Sequence, residues 1–265
     1  MLTSYFFNQE HAYWLVSSDI HQQAIKQNHQ HGFPDALALF HSESFKQVMS
    51  YSPWLIPIQP ELQHVDSDTF NQGIVLVSQA PMWDIVTHLR SLLYSALDGE
   101  EVMFRFYDPK VIVPMCATFT QDEINAFLGN SQQLACIQDG QLIIYHNTTQ
   151  FDYQPHSETW WKIQPQHLEP LYKVDEHAKA IVSRLWEKLP KKINALPEPI
   201  AFFQAILQHA LNEGINRHKA ENIALFQFSK LTDTSDIELS QALMLTHDEL
   251  KELQEIEKEV TSWEC

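Results

Sequence analysis

Glycine is scarce in this 265-residue chain, with only six residues. They are too dispersed to form a phosphate-binding loop, which needs clustered glycines so that backbone N–H groups can approach the phosphates. Basic residues are also few: 17 Lys and Arg face 34 Asp and Glu, for a formal net charge of −17. Such an excess repels phosphodiester backbones, and no Lys/Arg-rich stripe offsets it, so nucleic-acid binding is not expected. No apolar run approaches the roughly 18 residues of a membrane span, so no membrane insertion is expected. The first residues, MLTSYFFNQEHAYWLV, show neither a basic leader region nor a small-residue cleavage site. The three cysteines, Cys116, Cys136 and Cys265, are odd in number and lack metal-type spacing. They read as reduced thiols, two in a core and one on a tail, and a cytoplasmic location is the expectation.

What is present is an ordinary globular composition, 44% apolar, enough for one large domain or two modest lobes. Short apolar runs at 13–16, 37–40, 54–58 and 73–77 read as strands, with Pro57 marking an edge or a strand end. GIVLV at 73–77 is the cleanest buried candidate. The polar stretch 21–31 reads as an exposed loop or helix edge. Ile85, Leu89, Leu92 and Leu93 recur near the helical period over 82–93. Asp98-Gly99 then turns the chain, and 102–107 reads as a strand carrying one charge. This strand–helix–strand order predicts an α/β (α+β) sheet lobe, with a right-handed crossover if the strands are parallel. Thr120 and Glu123 form a capping-box pattern opening a helix that Gly129 stops. Runs at 134–137 and 141–145, around Asp139-Gly140, predict a hairpin ending the sheet near 146.

Beyond the hairpin the composition changes. Residues 151–164 read as a linker packed on the sheet, rich in aromatics (Phe151, Tyr153, Trp160, Trp161). Helices are expected over 166–189, with Ile181, Leu185 and Trp186 on one side. Further helices are expected over 199–213, closed by Gly214, and over 222–231, 237–245 and 246–260. The last opens with a second capping box, Thr246 and Glu249. The expected organisation is a sheet lobe over 1–150 and an all-α lobe over 165–265.

Chemistry is harder to find. Of 14 histidines, His29 and His31 have strand-type metal spacing but sit in a polar, glycine-marked context, with His21 and His41 at a distance. No metal and no cofactor are expected. Ser78, His88 and Asp98 supply the residue types of a nucleophilic triad, yet Ser78 is not in a G-x-S-x-G elbow. Cys116 sits in apolar VPMCAT, where a buried thiol is inert. No catalytic residue is assigned.

The stretch 88–109, HLRSLLYSALDGEEVMFRFYDP, is the most informative. Leu89, Arg90, Asp98, Gly99, Arg105, Tyr107, Asp108 and Pro109 form a motif for packing or partner contact. Asp108 reads as a helix N-cap followed by proline at the first helical position. Arg105, inside an apolar run, either faces solvent or pairs with a carboxylate, since an unpaired buried guanidinium would cost several kcal/mol. The two readings are a salt-bridged lock between strand and helix, and direct partner recognition. Trp160 and Trp161 likewise read either as a plug between lobes or as exposed interaction anchors.

With its upstream PWLIPI, this LR…FRFYDP stretch resembles the domain of type VI secretion effector chaperones, also called adaptors. The likeness is specific in the FRFYDP core and its LR partner, and looser from residue 12 to about 130. It implies a cytoplasmic, non-catalytic protein that binds a secreted effector and helps load it onto the VgrG spike protein. Because the motif is confined to the first lobe, the expectation is that 1–150 carries the common task of contacting the spike and 165–265 helps select the cargo. The competing reading is that the helices only cover the sheet and leave one surface for a single partner. The rival readings are an immunity protein that neutralises a toxin, which an acidic chain also suits, and a hydrolase assembled from scattered residues.

Overall fold

The computed structural model describes residues 1–149, 154–156 and 158–261. The chain forms two compact units, Met1–Leu171 and Tyr172–Cys265. In chain order the first comprises α1 (Leu2–Phe7), β1 (Ala12–Val16), α2 (Ser18–Gln27), β2 (Leu37–Ala38), β3 (Trp54–Pro57), α3 (Ser67–Phe70), β4 (Ile74–Val77), α4 (Met82–Ser91), β5 (Tyr94–Leu97), β6 (Glu100–Met103), α5 (Pro109–Cys116), α6 (Gln121–Leu128), β7 (Gln133–Gln138), β8 (Gln141–His146) and α7 (Pro165–Leu168). The second is helical: α8 (Val174–Lys188), α9 (Pro190–Ile193), α10 (Pro199–Asn212), α11 (Arg217–Thr232), α12 (Asp236–Leu243) and α13 (His247–Thr261). A sheet region followed by a mostly helical one is the fold class expected from the sequence.

Six strands form one sheet in the order β2-β3-β1-β4-β7-β8, antiparallel at every pairing. The central strands are apolar on both faces. Leu15, Ile74 and Leu76 point into a core with α4, α5 and α6, while Trp14, Val16 and Val75 point into a second core with α1 and α3. Trp14 stacks on Phe70 at 4.6 Å and donates its indole N–H to the Phe70 carbonyl at 3.1 Å. Gly73 is required there, because a Cβ would lie 2.1 Å from the indole nitrogen.

Several expectations need correction. The strand–helix–strand unit is not a parallel crossover. Asp98 and Gly99 both take positive φ, 51° and 86°, the geometry of a two-residue hairpin turn. They join β5 to β6 in a separate two-stranded sheet, so β6 ends at Met103 and 104–107 is not strand. The stretch 21–31, read as an exposed loop or helix edge, carries the end of α2 and the turn after it, with His21 and Ala24 buried. The helix expected over 166–189 is split into α7, a 3-10 turn at Glu169–Leu171 and α8, because Pro170 lacks the N–H a continuous helix needs. On α8, Ile181 and Leu185 are buried but Trp186 is exposed. The first unit extends to Leu171, and Trp161 and Ile163, in the segment read as a linker packed on the sheet, are buried in its core. There the Ala96 N–H donates to the Trp161 carbonyl and the Ile163 N–H to the Ala96 carbonyl, both at 2.9 Å. Phe151, Tyr153 and Cys265 lie outside the described residues.

Local signals in the sequence match the structure closely. The Thr120/Glu123 capping box forms at α6, and the Thr246 and Glu249 side chains bond at the start of α13. Asp139 and Gly140 turn β7 into β8. Gly129 closes α6 with φ 55° and ψ −111°, a conformation L-residues avoid, and a Cβ there would lie 2.4 Å from the His88 ring. Gly129→Ala is therefore expected to lower unfolding stability by about 3 kcal/mol, combining backbone strain with overpacking, as read from urea midpoints.

Candidate functional site

The motif residues all lie in the first unit, and most serve packing. Leu89, Phe106 and Tyr107 are buried in the core shared with β1, β4 and β7. Burial pushes the Tyr107 phenol pKa up. Arg90 reaches across from α4: its Nε donates to the Leu39 carbonyl at 3.0 Å and its Nη2 to the Ala38 carbonyl at 3.1 Å. One guanidinium thus fixes the end of β2. Asp98 and Gly99 form the hairpin turn, and Pro109 occupies the first position of α5.

Arg105 lies in the turn before α5. Its Nη2 donates to Asp108 Oδ2 at 2.5 Å, while Asp108 Oδ1 accepts from the Lys110 N–H at 3.0 Å to cap the helix. The Arg105 side chain is 62% exposed. The ion pair is local and solvent-screened, joining a turn to its own helix. Trp161 is buried against Phe119, Phe127 and His167, so it is not an exposed anchor. Trp160 is half-buried, stacks on His156 at 4.0 Å and donates to Ser91 Oγ at 3.0 Å.

Two of the catalytic candidates, Ser78 and His88, are engaged in structural bonds. Buried Ser78 donates to the Asn130 carbonyl at 2.6 Å. His88 Nε2 lies 2.7 Å from the Phe127 carbonyl, and Asp98 is exposed in its turn. Burial raises the Cys116 thiol pKa far above its usual range and lifts Cys136 to about 12, so neither is an activated nucleophile. Among the described residues, no group of three or more His, Cys, Asp and Glu could hold a metal ion. His29 lies edge-on to His64 at 5.3 Å.

Three features escaped the sequence reading. In the second unit, Tyr172 OH lies 2.6 Å from His177 Nδ1, and His177 Nε2 lies 2.8 Å from Glu221 Oε2. Arg184 donates to Glu221 Oε1 at 2.6 Å, and Arg217 sits 4.2 Å over the Tyr172 ring. This chain resembles a relay, but burial raises the phenol pKa, so its evident role is to tie α8 to α11. Exposed apolar side chains at Val48, Met49 and Tyr51, with Tyr94 and Met103 on the hairpin, form a candidate contact region. Phe45, 5.7 Å from the Tyr94 ring, links the two parts. Finally, His21 is buried against Trp54 at 4.3 Å with neither ring nitrogen hydrogen-bonded. No local pattern marked it, because its burial depends on β3 passing α2.

Two predictions follow from these environments. Arg90→Ala is expected to cost about 2 kcal/mol through two charge-assisted bonds to backbone, and Arg105→Ala about 0.5 kcal/mol, measured by urea unfolding. Burial depresses both His21 and His88 to about pKa 4. The unfolded chain therefore takes up protons near pH 6.5 that the folded chain refuses until about pH 4. The contribution of these neutral rings is intact above pH 6.5 and lost as pH falls through that window. His21→Phe should hold or raise the urea midpoint at pH 7.5 and flatten its decline between pH 6.5 and 4. An unchanged decline would show that His21 is protonated while folded.

Residues 12–126, from β1 into α6, match the model of a family described as a domain of unknown function, DUF4123. No curated protein and no solved structure matches the chain significantly.

Proposed function

We propose that this chain is a non-catalytic adaptor that binds a secreted effector of the type VI secretion system and helps load it onto the VgrG spike. The observation that carries the reading is the family-model match over 12–126, which contains the LR…FRFYDP residues resembling effector chaperones. Their packing supports it: Leu89, Arg90, Phe106, Tyr107 and Asp108 hold one lobe's architecture, as a motif shared by adaptors for different cargoes would. The acidic balance, −17 overall, suits a protein that avoids nonspecific contacts while meeting selected partners. Binding, with stabilisation of the partner by mass action, would be the whole mechanism.

The test is capture with tagged, full-length protein from cells with an active type VI secretion system. The expected result is recovery of an effector encoded near this chain's gene, together with VgrG. Recovery of neither would overturn the reading. Neutralisation of a toxin without any binding to VgrG would identify an immunity protein instead.

A further inference from the structure

Among the described residues, the first unit has three strands with a pairing neighbour on one side only: β2, β6 and β8. Open strand edges invite other chains, and proteins normally blunt them by shortness, charge or a cover. Two edges here are blunted. β2 is two residues long and Arg90 holds the Ala38 carbonyl. β6 carries Glu100 and Glu101 within four residues.

β8 is different. Its six residues, QLIIYH, contain no Asp, Glu, Lys or Arg, no proline and no glycine. Because the turn is two residues long, Gln141, Ile143 and Tyr145 exchange backbone bonds with β7, and the N–H and C=O groups of Leu142, Ile144 and His146 point outward. Gln121 Nε2 occupies the His146 carbonyl at 2.9 Å. The outward groups of Leu142 and Ile144 have no partner among the described residues. The four central side chains are half-buried, two against each core. An added strand would therefore meet apolar neighbours on both faces.

We propose that the β8 edge is a docking strand for an extended segment of a partner protein, with β-branched residues at its centre and basic residues at its ends. Charge decides the occupant. β8 is bracketed by exposed Asp139 in its turn and, beyond His146, by exposed Asp122 next to Gln121. A second copy would bring together two chains of net charge −17, whereas lysine or arginine ends match these acids. Strand addition draws affinity from main-chain bonds and selectivity from the alternating side chains. Naming the effector as the source of the segment rests on the adaptor reading; the docking edge itself does not.

The probe is a fluorescein-labelled synthetic peptide of six alternating valines and threonines with two lysines at each end, titrated against the full chain by anisotropy. Methylating alternate core amides should weaken it by about tenfold or more, as should Ile144→Pro, which removes an outward N–H while sparing the β7 ladder. Glutamate ends should weaken it as well. Urea unfolding shows whether Ile144→Pro folds, and the methylated peptide decides the matter if it does not. No binding, or equal binding of plain and methylated peptides, overturns the proposal. A dimer in sedimentation that Ile144→Pro abolishes would put a second copy on the edge and overturn the stated occupant. If the captured effector complex leaves the Leu142 and Ile144 amides exchanging as fast as in the free chain, effector docking at β8 fails while the adaptor reading stands. Failure to capture effector or spike sinks that reading and leaves the peptide to judge the edge.

Discussion

A sheet that is apolar on both faces cannot face water on either, and that constraint organises the first unit. Trp14 and Val16 leave one side of β1 while Leu15 leaves the other, and all three are buried. β4 repeats the pattern with Val75 against Ile74 and Leu76. Helices must therefore cover both sides: α1 and α3 one, α4, α5 and α6 the other. Each side has a close approach that only glycine permits, Gly73 beside Trp14 of the neighbouring strand and Gly129 beside His88 of α4. The few glycines of the chain include positions where a neighbouring element's side chain comes too close for a Cβ.

The motif around residues 88–109 gains its meaning from that layered arrangement. Arg90 and Asp108 look like candidates for recognition in sequence because they are charges beside apolar runs. In the structure one satisfies carbonyls at the end of the shortest strand and the other caps a helix while accepting a turn arginine. Both bring polar backbone under control where the chain leaves regular structure.

Features with a local cause were legible in the sequence. The capping boxes at Thr120 and Thr246, the Asp139-Gly140 turn and the helical period of α4 all depend on residues within a few positions of one another. Features decided by distant neighbours were not. Tyr94–Leu97 lacks the β-branched residues that advertise a strand, yet it pairs with β6 on one side and the Trp161–Ile163 segment on the other. Phe104, Phe106 and Tyr107 read as strand because they are apolar, but they are buried from irregular backbone, with Arg105 exposed between them. β8 itself was legible as a strand. That β8 comes last in the sheet along the chain was legible too; that one of its sides is left without a neighbouring strand was not, because strand order is set by pairings across the whole unit.

The two thiols of the first unit have a practical consequence. Cys116 and Cys136 are buried, and burial holds both protonated at neutral pH, so a disulfide reagent can reach them as thiolates only when this unit opens. The remaining cysteine is the last residue of the chain. With Cys265 replaced by serine, the labelling rate becomes a measure of the opening free energy of the sheet unit alone. Comparing it with a global signal such as circular dichroism would give the separate stabilities of the two units without cutting the chain.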